Sequence, residues 1–363
     1  MRSPDAEQPS LFSYLQTTDF VPADHPLRRI RSLVDAALNS MDGTLTVSYS
    51  HTGRPGVAPE RLIRALLPQI LYSIRSERQL IEQLRYNMLF RWFVGLSLDD
   101  AVWDATTFTK NRQRFIDGAV TGRLLEAVVD QARQRRLLSE QHFCVDGTLI
   151  DAWASMGSYR RKDDDDEPPN GPPDFKGETR RADTHECKTD PDARLYKKAR
   201  GQTSRLCYIG HVLTDNRHAL VVDAETTHAS GTAEVDAALA MLDRRPGKRR
   251  LTVGADKNYD PHRFVQGARQ ANVTPHVARN TNGCASTIDA RTTRHVGYAK
   301  SINARHRVET PFGWGKYARP IKQTMLRGLD RVAAQARLVF ASYNLMRIAA
   351  LERHERFPWP NCV

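Results

Sequence analysis

Three carboxylates of the sequence stand in settings that could support metal-ion chemistry. Asp146 lies in the apolar segment HFCVDGTLI, and Asp256 directly follows the apolar segment LTVGA. Glu309 lies in the basic segment RHRVE, seven residues before Lys316. Acids are rarely buried unless they are paired or hold a metal ion. Carboxylates held among cations beside a buried sheet therefore indicate divalent-metal chemistry on phosphates.

The chemistry that suits these acids is phosphodiester cleavage, which needs an activated oxygen on one side of phosphorus and a stabilised oxyanion on the other. Two Mg²⁺ ions about 3.5–4 Å apart can serve both roles. Mg²⁺ takes oxygen ligands and keeps several waters, so a few carboxylates suffice. In this hypothesis Asp146 bridges two ions, Asp256 holds one and Glu309 the other. Structural pairing of each acid with a nearby cation is the alternative.

Basic and aromatic residues surround Glu309. On a helix, Arg305 lies four residues before it and Lys316 seven after it, on one face. Arg presents a planar fork to phosphate oxygens and Lys a point charge, so both are candidate phosphate ligands. An ordinary Arg305–Glu309 ion pair on a solvated helix is the alternative. Trp314 could stack on a DNA base or pack in the core, and core packing is the favoured interpretation.

The elements that would position these acids are alternating strands and helices. Asp146 would lie on the first strand, Asp256 at the end of the fourth and Glu309 on a late helix. This β-β-β-α-β-α-β-α order predicts a mixed sheet with helices and matches the ribonuclease H-like order. The predicted strands are 142–152, 205–214, 218–227, 251–255 and 275–278, and the predicted helices between them are 231–245 and 261–272.

A helical block precedes the first strand. Apolar periodicity predicts helices over 27–38, 62–74, 106–116 and 121–138. Pro68 should kink the second of these or shift its start. Ser76 and Gln79 form a capping-box pattern before a further helix. Periodicity alone leaves open whether the block binds DNA or serves for packing and dimerisation.

These features predict an α/β protein with three parts. Residues 1–138 form a helical N-terminal domain, 139–350 a mixed-sheet catalytic domain, and 351–363 a C-terminal tail. A polar insert over about 153–204 should be mobile, because its composition cannot bury much apolar surface. The acidic run 163–167 lies in this insert. Consecutive acids in a Pro-rich loop are a poor candidate for a metal site.

The overall charge favours a polyanionic partner. The chain has 363 residues, a formal net charge of +12 and a sequence pI of about 9.6, which favours nucleic acid over a membrane surface. A soluble basic protein without such a partner is the alternative. From Arg291 to Arg356 there are 14 Lys or Arg against 4 Asp or Glu. The N-terminus resembles no signal peptide and there is no apolar run of membrane length, so a cytoplasmic protein is expected.

The sequence resembles bacterial insertion-sequence transposases of the DDE superfamily, in the IS-four/IS-five group. The resemblance covers nearly the whole chain, and its motifs are specific jointly rather than singly. The matching segments are 54–56 with 62–71, YNMLFRWFVG (86–95), FTKNRQR (108–114), VDGTLIDAWAS (145–155), 195–210, 231–242, ADKNYD (255–260) and RHRVETPFGWGK (305–316).

The resemblance implies a ribonuclease H-like catalytic domain and a DDE triad at Asp146, Asp256 and Glu309. The Tyr-x2-Arg-x3-Glu-x6-Lys signature of the group carries over to Arg305, Glu309 and Lys316, but its Tyr position is Ile302 here. Only 52 residues separate Asp256 from Glu309, too few for the large β insertion of some relatives.

The implied activity is DNA transposition with two Mg²⁺ ions, for which Mn²⁺ can substitute. The implied partners are the terminal inverted repeats, target DNA and at least one further copy of the chain, in the cytoplasm of a bacterium and at its nucleoid. The helices of 57–138 would read the DNA ends, with Lys110, Arg112 and Arg114 as candidate contacts. Surface cations without a partner are the default interpretation of those three.

Two rival functions share parts of this pattern. A metal-dependent nuclease would use the same three acids to cut DNA without joining strands. A domesticated DNA-binding protein with an inert core would retain the fold, and the departures at Pro68 and Ile302 are what sequence drift would produce. The intact triad argues against the second rival.

Overall fold

The chain begins with helices and continues into a mixed β-sheet. The computed structural model describes residues 15–47, 56–117, 119–162, 183–198, 201–245, 247, 249–279, 286–317 and 321–353. The helices before the sheet are α1 (Pro26–Ser40), α2 (Asp42–Val47), α3 (Pro59–Leu71), α4 (Glu77–Tyr86), α5 (Met88–Val94), α6 (Thr106–Asp117) and α7 (Val120–Gln134).

The strands are β1 (His142–Asp151), β2 (Tyr159–Arg161), β3 (His185–Cys187), β4 (Arg194–Tyr196), β5 (Arg205–Asp215), β6 (Val221–His228), β7 (Leu251–Ala255) and β8 (Val273–Val277). The later helices are α8 (Ala233–Asp243), α9 (His262–Gln270), α10 (Ala290–Arg294), α11 (Val296–Ala304), α12 (Glu309–Tyr317) and α13 (Leu329–Glu352).

Five of the seven N-terminal helices were predicted, whereas α2 and α5 were not. In α1 every residue of the predicted apolar face is buried. The hydroxyl of Ser76 accepts a hydrogen bond from the backbone N–H of Gln79 at 3.2 Å, as a cap of α4 requires. Of the two expectations for Pro68, the shifted start is wrong, because α3 begins at Pro59 and runs through Pro68, and the kink stays a prediction. The helix ends at Leu71, so Pro68 interrupts only its last turn.

The main sheet has the predicted ribonuclease H-like order. Its strands run β4-β5-β1-β7-β8, and β6 pairs with β5 on the same side as β4. β1, β5 and β6 are antiparallel neighbours, whereas β7 and β8 are parallel to β1. β5 is buried at every residue after Arg205 because helices cover both faces of the sheet. The fold is therefore α/β, with helices first and a ribonuclease H-like sheet after them.

The predicted mobile insert at 153–204 is partly folded, which corrects its extent. β2 pairs with β3, and the aromatic ring of Tyr159 is buried. The Asp190 side chain, 1% exposed, accepts hydrogen bonds from the Tyr208 hydroxyl and from the backbone N–H of Gly328. These contacts attach the insert to the start of α13. Such long-range contacts cannot be predicted from the polar composition of the insert. The acidic run 163–167 lies outside the described residues.

Helix α13 joins the N-terminal helices to the sheet. It is buried on most of its circumference, as expected of a helix with apolar residues all round. α7 and α1 pack against it from one side and β6 from the other, so the helices before and after position 138 share one hydrophobic core. The division at 138–139 stays a prediction. The predicted tail begins inside α13, at Leu351, and its residues from 354 onward lie outside the described part.

The side chain of Asn344 on α13 forms hydrogen bonds with the backbone of β6, so its replacement should destabilise the fold. The buried side chain accepts a hydrogen bond from Val221 N–H at 2.9 Å and donates one to Val221 C=O at 2.7 Å. In Asn344→Leu both backbone groups lose their partner inside the protein, so we expect a loss of about 2–4 kcal/mol in the free energy of unfolding. Urea unfolding monitored by circular dichroism measures this loss.

Ser342 is the matched control, since it is equally buried on the same helix. Its hydroxyl donates only to Leu338 C=O within α13, a carbonyl that the helix already uses. Ser342→Ala should change the free energy of unfolding by less than about 1 kcal/mol. Equal losses in the two variants would contradict the assigned role of Asn344.

Candidate active site

Strand register brings Asp146 and Asp256 together. Residues 142, 143 and 144 of β1 pair in parallel with 252, 253 and 254 of β7. Asp146 lies two residues beyond the last paired residue of β1, and Asp256 lies two beyond the last paired residue of β7. The charge of Asp256 acts on Asp146, which places the two carboxylates within electrostatic reach of each other. Cys144 and Asp146 point to one face of the sheet, as Gly254 and Asp256 do, because side chains alternate along a strand. Two acids 110 residues apart in sequence are therefore side by side.

The two aspartates differ in their surroundings. Burial raises the pKa of the Asp146 carboxyl, and the negative charge of Asp256 also raises it. Three groups lower this pKa: the Gly147 N–H, which donates a hydrogen bond to Asp146 at 2.8 Å, and the charges of Lys198 and Arg305. Asp256 directly follows β7 and caps the 3₁₀ turn after it, where its Oδ1 accepts a hydrogen bond from Asn258 N–H at 2.9 Å. A buried acid beside a second acid gains from a cation that neutralises both.

The segment that carries Glu309 packs across this face. The carbonyl of Ser301 in α11 lies 3.6 Å from where a Cβ on Gly254 would be, so α11 packs directly against β7 at this residue. The Ser301 hydroxyl is 2.8 Å from Nδ1 of His276 on β8. These contacts fix the end of α11, and Glu309 follows as the first residue of α12.

The sequence prediction of one continuous helix from Arg305 to Lys316 is wrong in detail. Residues 305–308 form a 3₁₀ turn between α11 and α12, so Arg305 is off the helical spacing that places Glu309 and Lys316 on one face. Arg305 still acts on Asp146 through its charge. Glu309 is exposed, and within the described residues its carboxylate has neither a hydrogen bond nor an ion pair.

The aromatic and basic residues of α12 separate into two groups. Trp314 is half-buried, with its ring 5.8 Å from that of Tyr343 on α13, which favours core packing over base stacking. Lys316 is exposed on the side of the acids. Partial burial lowers its pKa, the charge of Lys198 lowers it further, and the charges of Asp146 and Asp151 raise it. Lys316 is therefore part of the charged site, whereas Trp314 supports the helix.

Two charged residues of this region are absent from the sequence predictions. Lys198 follows β4 and Glu234 lies in the first turn of α8, and the charges of both act on the candidate acids. An acid in the first turn of a helix is ordinary, because it complements the helix dipole. A lysine in a polar stretch is equally unremarkable. Neither residue type in its local setting distinguishes a site residue from a surface one.

The donor chemistry of the two aspartates fits a hard divalent cation. Mg²⁺ is commonly held by one or two carboxylates and keeps water on its remaining positions. Among the residues that the structure describes, no three Asp, Glu, His or Cys side chains are grouped closely enough to hold one ion. The grouping of Asp146, Asp256 and Glu309 around a metal ion therefore stays a prediction.

His211, beside this site, should make the fold sensitive to acid. It is fully buried, and burial together with the charge of Lys198 lowers its pKa to about 4, from 6.5 in an exposed histidine. The folded state then binds this proton less readily than the unfolded state, so stability is complete above about pH 6.5 and falls as pH drops toward 4. From pH 7 to 5 the loss is about 2 kcal/mol. Urea unfolding at several pH values measures it, and an equal pH dependence in His211→Gln would contradict it.

The candidate DNA contacts of the N-terminal block lie on α6. Lys110 and Arg114 are on the surface, and Arg114 is 3.4 Å from the Asn111 side chain. The side chain of Arg112 lies outside the described part of the structure. None of the helices in the described part is long and apolar enough to span a membrane.

Comparison with protein families gives two matches. Residues 15–114 match the family described as Transposase domain (DUF772), and residues 138–345 match the family described as Transposase DDE domain. The second match spans more than half of the chain. No curated protein matches the chain in sequence.

Similar solved structures include two complexes. One is the cryo-EM structure of the piggyBac transposase synaptic complex with hairpin DNA, at 8% identity and a TM-score of 0.40, over 95% of this chain and 79% of that one. Another is the Mos1 transposase paired-end complex with left transposon end, at 12% identity and a TM-score of 0.18, over 62% of this chain and 61% of that one. Both TM-scores are too low to establish a shared fold.

Proposed function

Because this chain belongs to the family of proteins with a transposase DDE domain, we propose that Asp146, Asp256 and Glu309 are its three catalytic acids. The protein is a transposase, an enzyme that cuts DNA strands and transfers them to new sites. The observation that supports the residue assignment is the parallel pairing of β1 with β7, which brings the segments that carry Asp146 and Asp256 next to each other. Arg305 and Lys316, whose charges act on Asp146, complete the proposed site.

The three proposed acids bind divalent metal ions, and Arg305 and Lys316 bind DNA. Two Mg²⁺ ions, or Mn²⁺ in their place, would activate the attacking oxygen and stabilise charge on the leaving oxygen. Asp146, Asp256 and Glu309 would supply the carboxylate oxygens that hold these ions. Arg305 and Lys316 neutralise phosphate oxygens of the strand being cut, which orients the phosphorus atom for in-line attack.

The reaction has two steps of the same kind. In the first, water attacks a phosphorus atom at the transposon end, the bond from phosphorus to the 3′ oxygen breaks, and that oxygen leaves as a 3′-OH. In the second, this 3′-OH attacks a target phosphate, and the 3′ oxygen of the target strand leaves. No covalent bond to the protein forms, so the chain needs no nucleophilic side chain.

The assembly follows from the reaction, since two transposon ends must be held at once. We propose a homodimer or higher oligomer on DNA, acting in the bacterial cytoplasm and at its nucleoid. The helices before β1 would read the terminal inverted repeats, and Lys110, Arg112 and Arg114 on α6 are the proposed contacts. The basic C-terminal third would face the backbones of transposon end and target.

The appearance of transposon-end DNA joined to target DNA distinguishes this function from the nuclease alternative. The full chain is incubated in Mg²⁺ with a labelled duplex that carries the DNA flanking its reading frame, together with a supercoiled plasmid. We expect a nick at the transposon end followed by labelled DNA joined to plasmid, and neither product in EDTA. Nicks without joined DNA would identify a nuclease, and the absence of both products from intact protein that binds DNA would overturn the proposal.

DNA binding should weaken steeply with salt. The net charge of +12 and the basic stretch after position 290 predict contacts to about six or more phosphates. Release of the counterions of those phosphates makes the affinity fall on the order of 10³-fold between 50 and 200 mM salt. Fluorescence anisotropy with a labelled duplex in EDTA measures the affinity. A flat response would contradict the engagement of DNA by the basic surface.

A further inference from the structure

Lys198 lies beside the proposed acids, held by two contacts from different parts of the fold. Its ammonium group donates a hydrogen bond to the carbonyl oxygen of Gly147, with Nζ at 3.3 Å. Gly147 directly follows Asp146 on β1. The same nitrogen lies 3.8 Å from Oε1 of Glu234 on α8. A flexible side chain at the end of an edge strand is thereby directed over β1, next to Asp146.

Glu234 reaches this position because residue 147 has no side chain. A Cβ at Gly147 would lie 3.1 Å from Oε1 of Glu234 and 3.1 Å from Nδ1 of His211. The Glu234 side chain is only 20% exposed. Burial raises the pKa of its carboxyl, and the charge of Lys198 acts in the opposite direction. The ion pair thus offsets part of the cost of burying the acid, and it ties Lys198 to the protein.

Lys198 retains capacity to bind a ligand. An ammonium group has three N–H donors. One is used by the Gly147 carbonyl and a second points toward Glu234, and the side chain is 42% exposed. Here a donor remains on the side that is open to solvent.

Lys316 provides a second cation within electrostatic reach. The charge of Lys198 lowers the pKa of Lys316, whereas the charge of Asp146 raises it. Two ammonium groups that repel each other are stabilised by an anion bound to both. Asp146 is one anion near both, but metal ions neutralise it in the proposed reaction. The positive charges of Lys198 and Lys316 are then stabilised by binding a second anion.

We propose that Lys198, together with Lys316, binds a phosphate of the DNA backbone next to Asp146, and that Glu234 is the positioning residue that directs Lys198 to it. The inference rests on the proposed function and adds to it a DNA-phosphate ligand on the sheet side of the site. The two lysines hold the DNA strand from α12 and from the end of β4. A bound phosphate neutralises the positive charge that the site carries once its carboxylates hold metal.

The number of phosphate contacts measured from salt dependence tests this directly. Affinity for a fluorescein-labelled 40-bp duplex is measured in Ca²⁺, a divalent ion that carboxylates also bind, at several salt concentrations. One lost lysine–phosphate contact reduces the slope of log K against log salt by about 0.9, and the affinity at 200 mM by about fourfold. We expect this change in Lys198→Ala, and we expect Lys198→Arg to retain the wild-type slope.

Lys197 is the matched control, an exposed lysine one residue earlier on the same segment. Lys197→Ala should keep the wild-type slope. Glu234→Gln, which keeps the shape and removes the charge, should lower the affinity less than Lys198→Ala does, and it should add nothing in the Lys198→Ala background. Thermal melting of each variant separates loss of DNA contact from loss of fold.

The outcomes separate this inference from the function on which it rests. If the wild type binds and cuts DNA but Lys198→Ala and Lys197→Ala have equal slopes, the inference is wrong and the transposase function stands. If the wild type neither binds nor cuts DNA, the proposed function fails first. A Glu234→Gln effect that persists without Lys198 would assign Glu234 a role of its own and overturn its positioning role.

Discussion

Asp146→Asn should abolish DNA cleavage and leave DNA binding intact. The amide is a poor ligand for a divalent ion, so the charge that develops on the attacking and leaving oxygens loses its stabilisation. We expect the rate in Mg²⁺ to fall at least on the order of 10³-fold, about 4 kcal/mol in the barrier. A single-turnover assay on labelled transposon-end DNA measures this rate.

Folding gives an independent check on the same variant. Burial raises the pKa of Asp146, so the ionised carboxyl is disfavoured in the folded protein and its neutral amide is not. Asp146→Asn should therefore melt at the same temperature as the wild type or higher, and bind DNA at least as tightly. Reduced thermal stability together with lost cleavage would indicate a structural role instead.

Asp223 is the matched control for Asp146→Asn, because it is an acid on the same sheet with a structural partner. It lies on β6 and pairs with Arg244 at 3.1 Å. Its replacement by Asn should cost at most about 1 kcal/mol of stability and leave the cleavage rate unchanged. Cleavage by Asp146→Asn at the rate of this control would refute the assignment of Asp146 as a metal ligand.

Glu309→Gln should have a comparable effect on cleavage and almost none on folding. Glu309 is exposed, and in the described part of the structure its side chain has no hydrogen bond or ion pair to lose. Its only expected role is to bind a metal ion together with the two aspartates. Loss of that ligand should slow cleavage on the order of 10²–10³-fold. The unfolding free energy should stay within about 0.5 kcal/mol of the wild type.

Metal binding distinguishes this role from a contact to DNA. Paramagnetic resonance of Mn²⁺ with DNA-bound protein should show weaker metal binding in Glu309→Gln, whereas a DNA contact would change only the affinity for the duplex. Glu309→Asp keeps the charge but shortens the side chain, so it should also cleave slowly. The double variant with Asp146→Asn should be no slower than Asp146→Asn alone, because acids that act as a unit are not additive. Wild-type cleavage by Glu309→Gln would exclude it from the site.

Much of the fold was predictable because its elements carry strong local patterns. The apolar run around Val253 is too short for a helix and is bounded by polar residues, and it forms β7 with the predicted bounds. The periodic apolar face of α1 is buried as predicted. Prediction failed where tertiary contacts override composition. The ends of the polar insert fold because Tyr159 and Asp190 find partners in distant segments.

The candidate site likewise has features that were predictable from local sequence and features that depend on tertiary contacts. The residue types and their order along the chain determined that Asp146 and Asp256 end up on strands, with Glu309 on a basic helical segment after them. Only the tertiary structure decided that Asp146 is beside Asp256, since strand register depends on packing across the whole sheet. It alone also joined Lys198, Glu234 and Gly147, which are ordinary in their local settings. A charged side chain acquires its role from its neighbours in space, and long-range packing selects those neighbours.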